Sequence, residues 1–505
     1  MTRSSSRSCP VSAPALTKND PLLLAKSDSP LARDRGARQG VLVLCGSSPR
    51  RVRGLQAELL EQEEIRRTRI LNDTRRTDSA SLAQAAGRLA LDRLRRGRYS
   101  AAWEALERGR ARTLLDAIEA RRSRRRAPQQ REPSPVNRLL RATRLGRILS
   151  GEASSDRPVD PPPVAGLQKR LRRDDLVLSV ELVADDVVVL WARRDGVGGG
   201  VLRRRARELS LLSREVYQVL ACPDLLPEPT EALRALGSYL FTEARVPLKT
   251  RDRVFVSAPG ELSAVPLGLL PLRSNRGCSL LEHATPVRIP SWSCMYGLRR
   301  RRRLPREPSL LCVGDPAGTS DLGALPASAR EVRAVARAFS GQKTVLMRDT
   351  ATEAAVRRNL VDKSHVHIAC HGVYVAGAPH LSYLDLAPDE EHDGPFRVEE
   401  IEGLALDADC VVLSACVSGQ RPDTAGDDAL SLGRAFLAAG ARAAVSCAWV
   451  VADDAMPALM QDFYIALQRG RRPGEALADA QLKARTHKRF NHPFFWASLQ
   501  AHDAG

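Results

Sequence analysis

From residue 309 onward, short apolar runs alternate with stretches of helical periodicity, and this alternation narrows the fold more than any other feature. Strand-like runs fall at Ser309–Val313, Thr344–Met347, His365–Cys370, Asp409–Ala415 and Ala441–Ala448. Helical spacing fills the gaps at Ala327–Phe339, Thr352–Leu360 and Asp427–Ala439. Two further helical stretches follow at Asp453–Gln468 and Pro473–Lys483. Parallel strands need a crossover between them, usually a helix. The pattern therefore predicts an α/β fold with a mostly parallel sheet and helices on both faces. In sheets of that kind, catalytic and ligand-binding groups gather at the carboxyl ends of the strands.

Two of these strands end in reactive side chains. HVHIACHG ends at His371-Gly372, and CVVLSACVSG carries Cys416 just past its last apolar residues. The interval between them has room for a hairpin (Leu381–Leu386), a crossover helix (Arg397–Leu404) and the next strand, so the two ends can be neighbours. A free thiol has a pKa near ~8.5, and a neighbouring imidazole can take its proton and leave a thiolate able to attack a carbonyl carbon. The backbone N–H groups of Gly372 and Cys416 are candidates to stabilise the oxyanion that follows. Buried cysteines are common in apolar strands, so a purely structural Cys416 stays open, and Cys370 and Cys410 are read as core. His365, His367 and His371 share strand parity, but the HxHxDH aspartate is missing and no matching ligand set follows. The expectation is no metal and no cofactor.

Upstream, Leu176–Leu182 and Asp186–Ala192 are β-prone runs parted by a polar turn, which predicts a hairpin. A helical segment covers Leu209–Thr242, a strand Arg253–Ser257, and a loop with apolar side chains Gly260–Leu270. Leu82, Ala86, Leu89, Ala90 and Leu94 recur at helical spacing, and after the turn at Gly97 a second helix carries Ala102, Trp103, Leu106, Leu114, Leu115 and Ile118. The pair looks like one tetratricopeptide-type unit, which cannot bury its apolar face alone and so leans on the next domain. The resulting division is a disordered 1–40, a degenerate helical region 41–121, a basic Pro/Arg linker 122–175, and a main domain 176–505 with its core at 305–505.

Charge is unevenly placed. Of the net +19, residues 1–175 hold 38 Lys+Arg and 20 Asp+Glu, a net of +18, which leaves +1 for the rest. A basic run is usually a solvated tether, and nucleic-acid binding through it is the alternative. The ten cysteines show no CxxC spacing and several lie in apolar runs, which points to a reducing cytosol. No run of eighteen apolar residues occurs, so no membrane span is expected.

At HIACHG and VVLSACVSG the sequence resembles the CHAT family, caspase-like peptidase domains found beside tetratricopeptide repeats in bacteria. LLCVGDP (Leu310–Pro316), AREVRAVARAF (Ala329–Phe339), RAFLAAGARAAVSCAWVVADD (Arg434–Asp454), MQDFYIAL (Met460–Leu467), GEALADAQ (Gly474–Gln481) and HPFFWASL (His492–Leu499) fit the same family. AWEALERGRARTLLDAI (Ala102–Ile118) resembles the helix that usually precedes the domain. The resemblance implies a caspase-like three-layer sandwich, preceded by a short helical region and a β-hairpin. It also implies a cysteine endopeptidase with His371 as base, Cys416 as nucleophile, and the Gly372 and Cys416 backbones at the oxyanion. The substrate would be a protein, and an activating protein partner would act through the N-terminal helical region. Two departures stand out. Val417-Ser418 replaces the usual Glu or Gln followed by Thr, and Ala452 replaces the first of two acids after Trp449. Asp453 and Trp449 are candidates for the substrate pocket, against a helix cap and a core tryptophan; His380 reads as an exposed loop residue. A chain that kept the fold and lost the activity is the alternative to the peptidase.

Overall fold

The computed structural model describes residues 84–110, 114 and 161–503, apart from breaks at 223–228, 259, 273–277, 300–306, 319–322, 376–380, 416, 419–428 and 451–453. The expected disordered start, the helical stretch before residue 84 and residues 122–160 of the basic linker lie outside the described residues, as do Cys416, His380 and Asp453. All described residues belong to one compact unit, Asn72–Gly505.

The sheet begins with an antiparallel meander of β1 (Asp175–Val183), β2 (Asp186–Arg193) and β3 (Gly196–Leu202). Next come β4 (Arg253–Ser257) and β5 (Thr285–Arg288), then β6 (Ser309–Pro316), β7 (Gln342–Arg348) and β8 (His365–Ala369). Short strands β9 (Gly372–Val373), β10 (Tyr383–Asp385) and β11 (Pro395–Arg397) follow, then β12 (Cys410–Leu413), β13 (Val417–Ser418), β14 (Ala443–Cys447) and β15 (Leu499–Asp503). Eleven of these form one sheet in the order β3-β2-β1-β4-β5-β15-β14-β12-β8-β6-β7. The remaining four form a small sheet, β11-β10-β9-β13. The large sheet is mostly parallel, as the alternation predicted. It is built from two parallel blocks that run in opposite directions. β15 runs parallel to β5 and antiparallel to β14, and so forms the seam.

Alternation along the strands assigns the layers. Leu310 and Cys312 of β6, Val412 and Val445 face one side. There they meet α6 (Pro326–Ala338) through Val332 and Val335, Phe339 just past its end, α10 (Met456–Gln468) through Phe463 and Tyr464, and α11 (Pro473–Ala484) through Leu477. Leu311, Val313, Val366, Ile368, Val411 and Leu413 face the other side. They pack on α7 (Glu353–Leu360), α8 (Val398–Gly403) and α9 (Ala429–Ala439) through Val356, Ile401 and Phe436. The result is a three-layer α/β sandwich. Local signals place the helix ends: Pro326 opens α6, and the Thr352 hydroxyl accepts from the Ala355 amide at the start of α7. Gly440 at φ +128 closes α9, where a side chain would come within 2.1 Å of the Leu406 carbonyl.

The helix pair before the domain is an integral part of this core. α1 (84–95) and α2 (Tyr99–Gly109) are joined by a turn with Gly97 at φ +70. Trp103 is fully buried, packs edge-on against Trp292 with centroids 4.9 Å apart, and donates its indole N–H to the Trp191 carbonyl. Glu107, also buried, accepts from the amides of Trp292 (3.1 Å) and Ser293 (2.7 Å) at the start of α5 (Trp292–Arg299). The second helix, expected to run on to Ile118, is interrupted after Gly109, where Arg110 turns extended (φ −104, ψ 140); Leu114 is again helical and buried in the same core, and 111–113 and 115–118 lie outside the described residues. The turn at Arg110 lets its side chain reach the middle of β1 and the carboxyl end of β4. There it bonds Ser179, Val180, Glu181 and Ser257.

The hairpin expected at Leu381–Leu386 is a single strand, β10, which pairs with β9 on one side and β11 on the other. The helical segment expected at 209–242 contains α3 (Ala206–Ala221), α4 (Thr230–Gly237) and a π-helical turn, Ser238–Glu243. Among the described residues no helix is long and apolar enough to cross a membrane.

Candidate active site

β8 and β12 lie side by side at the middle of the second parallel block, in the register Cys410↔His365 to Leu413↔Ile368. The Ser414 amide continues the ladder by donating to the Ile368 carbonyl at 2.9 Å. Both chains then leave the large sheet and pair again at once in the small one, as β13 and β9, in the register Val417↔Gly372. Partners are 45 positions apart on either side of the crossing, 413 against 368 and 417 against 372. Positions 416 and 371 differ by the same 45.

His371 is half-buried at this crossing, and its backbone is held firmly. Its carbonyl accepts from the Asp385 amide of β10 at 2.9 Å and from the Cys370 thiol at 3.3 Å. Its ring Nε2 lies 2.9 Å from the carbonyl of Gly323, in the loop before α6. A carbonyl can only accept, so Nε2 carries the proton. In the neutral ring, Nδ1 is then the basic nitrogen. Gly372 sits in β9 between β10 and β13, where strand pairing competes for its polar groups.

The carboxyl end of β6 borders the same place. Asp315 sits at a bulge there, where the register shifts between Gly314 and Pro316, and stands at φ +44. Its nearly buried carboxylate accepts from the Leu325 amide at 2.7 Å and pairs with Arg348 at 3.1 Å. Asp385 is also buried, with its carboxylate against the backbone of Gly318. Sequence reasoning passed over Asp315, Arg348 and Gly323. The available signal was the Gly-Asp-Pro at the end of a strand neighbouring the histidine strand.

The other candidates are placed as follows. Trp449 is buried among Tyr217 and the main core, and its indole N–H donates to the Phe494 carbonyl at 3.1 Å. His365 bonds the Ser364 hydroxyl at 2.9 Å and lies against Phe339. His367 is fully buried, with Nε2 3.1 Å from a Glu331 carboxylate oxygen and its ring against Tyr464. Cys312 and Cys410 are buried thiols. Burial raises the first to about 12 and the second well above the ordinary thiol value, so neither serves as a nucleophile.

The CHAT domain model matches residues 212–503, more than half of the chain. The chain belongs to the CHAT family. β1–β3, α1 and α2 lie before the matched span, yet share its sheet and core. A 100-residue stretch is 34% identical to tetratricopeptide repeat protein 28 of Homo sapiens, covering 20% of this chain and 4% of that protein. Among solved structures, the Saccharomyces cerevisiae separase–securin complex resembles this CHAT chain with a TM-score of 0.47 at 10% identity, covering 80% of this chain and 33% of that one. The Arg-specific cysteine proteinase gingipain R resembles it with a TM-score of 0.37 at 10% identity, covering 59% and 73%.

Proposed function

We propose that this CHAT chain is a cytosolic cysteine endopeptidase that cuts a protein substrate through Cys416 and His371. The observation that carries the reading is the unbroken 45-residue register on both sides of the two positions. In the proposed reaction, His371 Nδ1 takes the thiol proton and the Cys416 sulfur attacks the scissile carbonyl. The tetrahedral oxyanion is met by the Gly372 and Cys416 amides, each donor of that kind contributing about 10²–10³ in rate. The imidazolium then gives its proton to the leaving amine, and water hydrolyses the thioester with His371 again as base. Asp453 and Trp449 are the candidates for shaping the substrate pocket. Activation by a protein partner would act through the N-terminal helical region, and the match to a tetratricopeptide repeat protein favours such contacts. The free thiols of Cys222, Cys278, Cys312 and Cys410 fit a reducing compartment.

The test is selective labelling by a cysteine-reactive electrophilic peptide, with proteomic identification of cleaved proteins. It is best run in a Cys222→Ser background, because Cys222 is exposed. Labelling is expected on Cys416, and cleavage is expected to vanish in Cys416→Ala. Cleavage that survives Cys416→Ala refutes the assignment. The substitution of Val417-Ser418 for the family's usual residues favours a second reading, a CHAT-fold interaction protein without activity. That reading predicts no preferential labelling of Cys416.

A further inference from the structure

A chain of contacts leads from the carboxyl ends of β6 and β7 to the ring of His371. The Gly323 carbonyl faces its Nε2 at 2.9 Å. Two residues later, the Leu325 amide is held at 2.7 Å by Asp315 Oδ1. The other oxygen of Asp315 is held by the Arg348 guanidinium at 3.1 Å. Both members of the ion pair adopt left-handed backbone conformations, Asp315 at φ +44 and Arg348 at φ +50. Such conformations are costly for residues other than glycine and persist only where the surroundings hold them. They stand at the carboxyl ends of adjacent strands, β6 and β7, and the Ala317 amide also donates to the Arg348 carbonyl at 3.3 Å. Gly323 itself is at φ +80, with open space where a side chain would begin, so its backbone is set by conformation and not by crowding.

We propose that Asp315 and Arg348 form a positioning pair that fixes the Gly323 carbonyl against His371, and thereby fixes Nε2 as the protonated ring nitrogen and Nδ1 as the basic one. This rests on the peptidase reading for its consequence in catalysis. Its structural content stands on the contacts alone. The Asp315 carboxylate holds the backbone at the start of α6 through the Leu325 amide, two residues after the carbonyl that faces His371. The pair acts through the Gly323 carbonyl, so its members are positioning residues that touch no substrate.

The test uses the full chain with Cys222→Ser, in the variants Asp315→Asn, Arg348→Asn and Arg348→Lys. Asparagine tolerates left-handed backbone, so the two asparagine variants remove charge with little added strain. Long-range 1H–15N spectra of histidine-labelled protein, assigned with His371→Gln, read the His371 tautomer directly. Iodoacetamide alkylation of Cys416 across pH reads its consequence. The wild type is expected to hold Nε2–H on His371. Asp315→Asn and Arg348→Asn are expected to mix the tautomers and slow alkylation at neutral pH about tenfold, a fraction of the ~10²–10⁴ that a positioned base contributes. Arg348→Lys is expected to restore most of the rate. An unchanged tautomer in both asparagine variants overturns the proposal. If His371→Gln leaves Cys416 alkylation unchanged, the dyad reading fails instead, and the tautomer spectra still decide the pair.

Discussion

Arg110 offers the most direct measure of how firmly the preceding helix is built into the CHAT fold. Its guanidinium fork reaches Glu181 through Nε (2.9 Å) and Nη2 (2.5 Å), and the hydroxyls of Ser179 (2.7 Å) and Ser257 (2.8 Å) through Nη1. It also donates to the carbonyls of Val180 and Ser257. Both ends of the ion pair are largely buried, with side-chain exposures of 9% and 13%. Arg110→Ala strands Glu181 and two hydroxyls away from water, and breaking a buried pair of this kind costs about 3–5 kcal/mol. Arg110→Lys keeps the charge but not the fork, and leaves several acceptors unmet, at a cost of about 1.5–3 kcal/mol. Urea unfolding followed by circular dichroism measures both. A double-mutant cycle with Glu181→Gln should return a coupling of about 1–3 kcal/mol. If Arg110→Ala unfolds within about 0.5 kcal/mol of the wild type, the helix is a loose attachment and the docking argument falls.

Two further outcomes test the same fold. Glu107→Ala leaves the Trp292 and Ser293 amides buried without an acceptor, at about 1–3 kcal/mol each, and Glu107→Gln should recover part of the loss; urea midpoints check the order. His502 is fully buried beside Arg288 and Arg434, and burial first, then those cations, lower its pKa from 6.5 to about 3. The folded state therefore refuses a proton that the unfolded state accepts. The neutral ring's contribution is complete above about pH 6.5 and is lost on acidification towards pH 3, at a limiting slope of about 1.4 kcal/mol per pH unit. His502→Gln should flatten that limb of the stability–pH curve between pH 6.5 and 5, and an unchanged slope would show that another group sets it.

Much of the second parallel block was legible, because its strands are buried on both faces and read as apolar runs with punctuated helices between them. The first block was harder. β3 is Gly-Val-Gly-Gly-Gly-Val-Leu, a composition that argues against a strand. It holds as an edge strand because Gly198 and Gly199 leave room for the Trp191 ring and the β2 backbone. β5 hides behind Pro286 and is only four residues long. The sequence also gave no sign that the early hairpin joins the same sheet as the histidine and cysteine strands, since strand order is a long-range property. At the site, His371 and Cys416 stood out as reactive side chains at strand ends. Asp315 and Arg348 did not, because their part depends on backbone conformation and on a loop carbonyl that no residue type announces.

The seam strand β15 carries a consequence for how the sheet is completed. Its five residues pair fully with β14, but with β5 only through His502↔Arg288, reinforced by the 2.9 Å bond from Arg288 to Gln500. Every other strand of the sheet precedes it in the chain. During synthesis the two parallel blocks can each assemble, yet they cannot be joined through hydrogen-bonded strands until residues 499–503 have emerged. Until then β5 and β14 are open strand edges, with the pairing hazards that open edges bring. Removing residues 499–503 is therefore expected to leave the histidine and cysteine strands in a half-sheet with no hydrogen-bonded strand joining it to the block carrying Arg110.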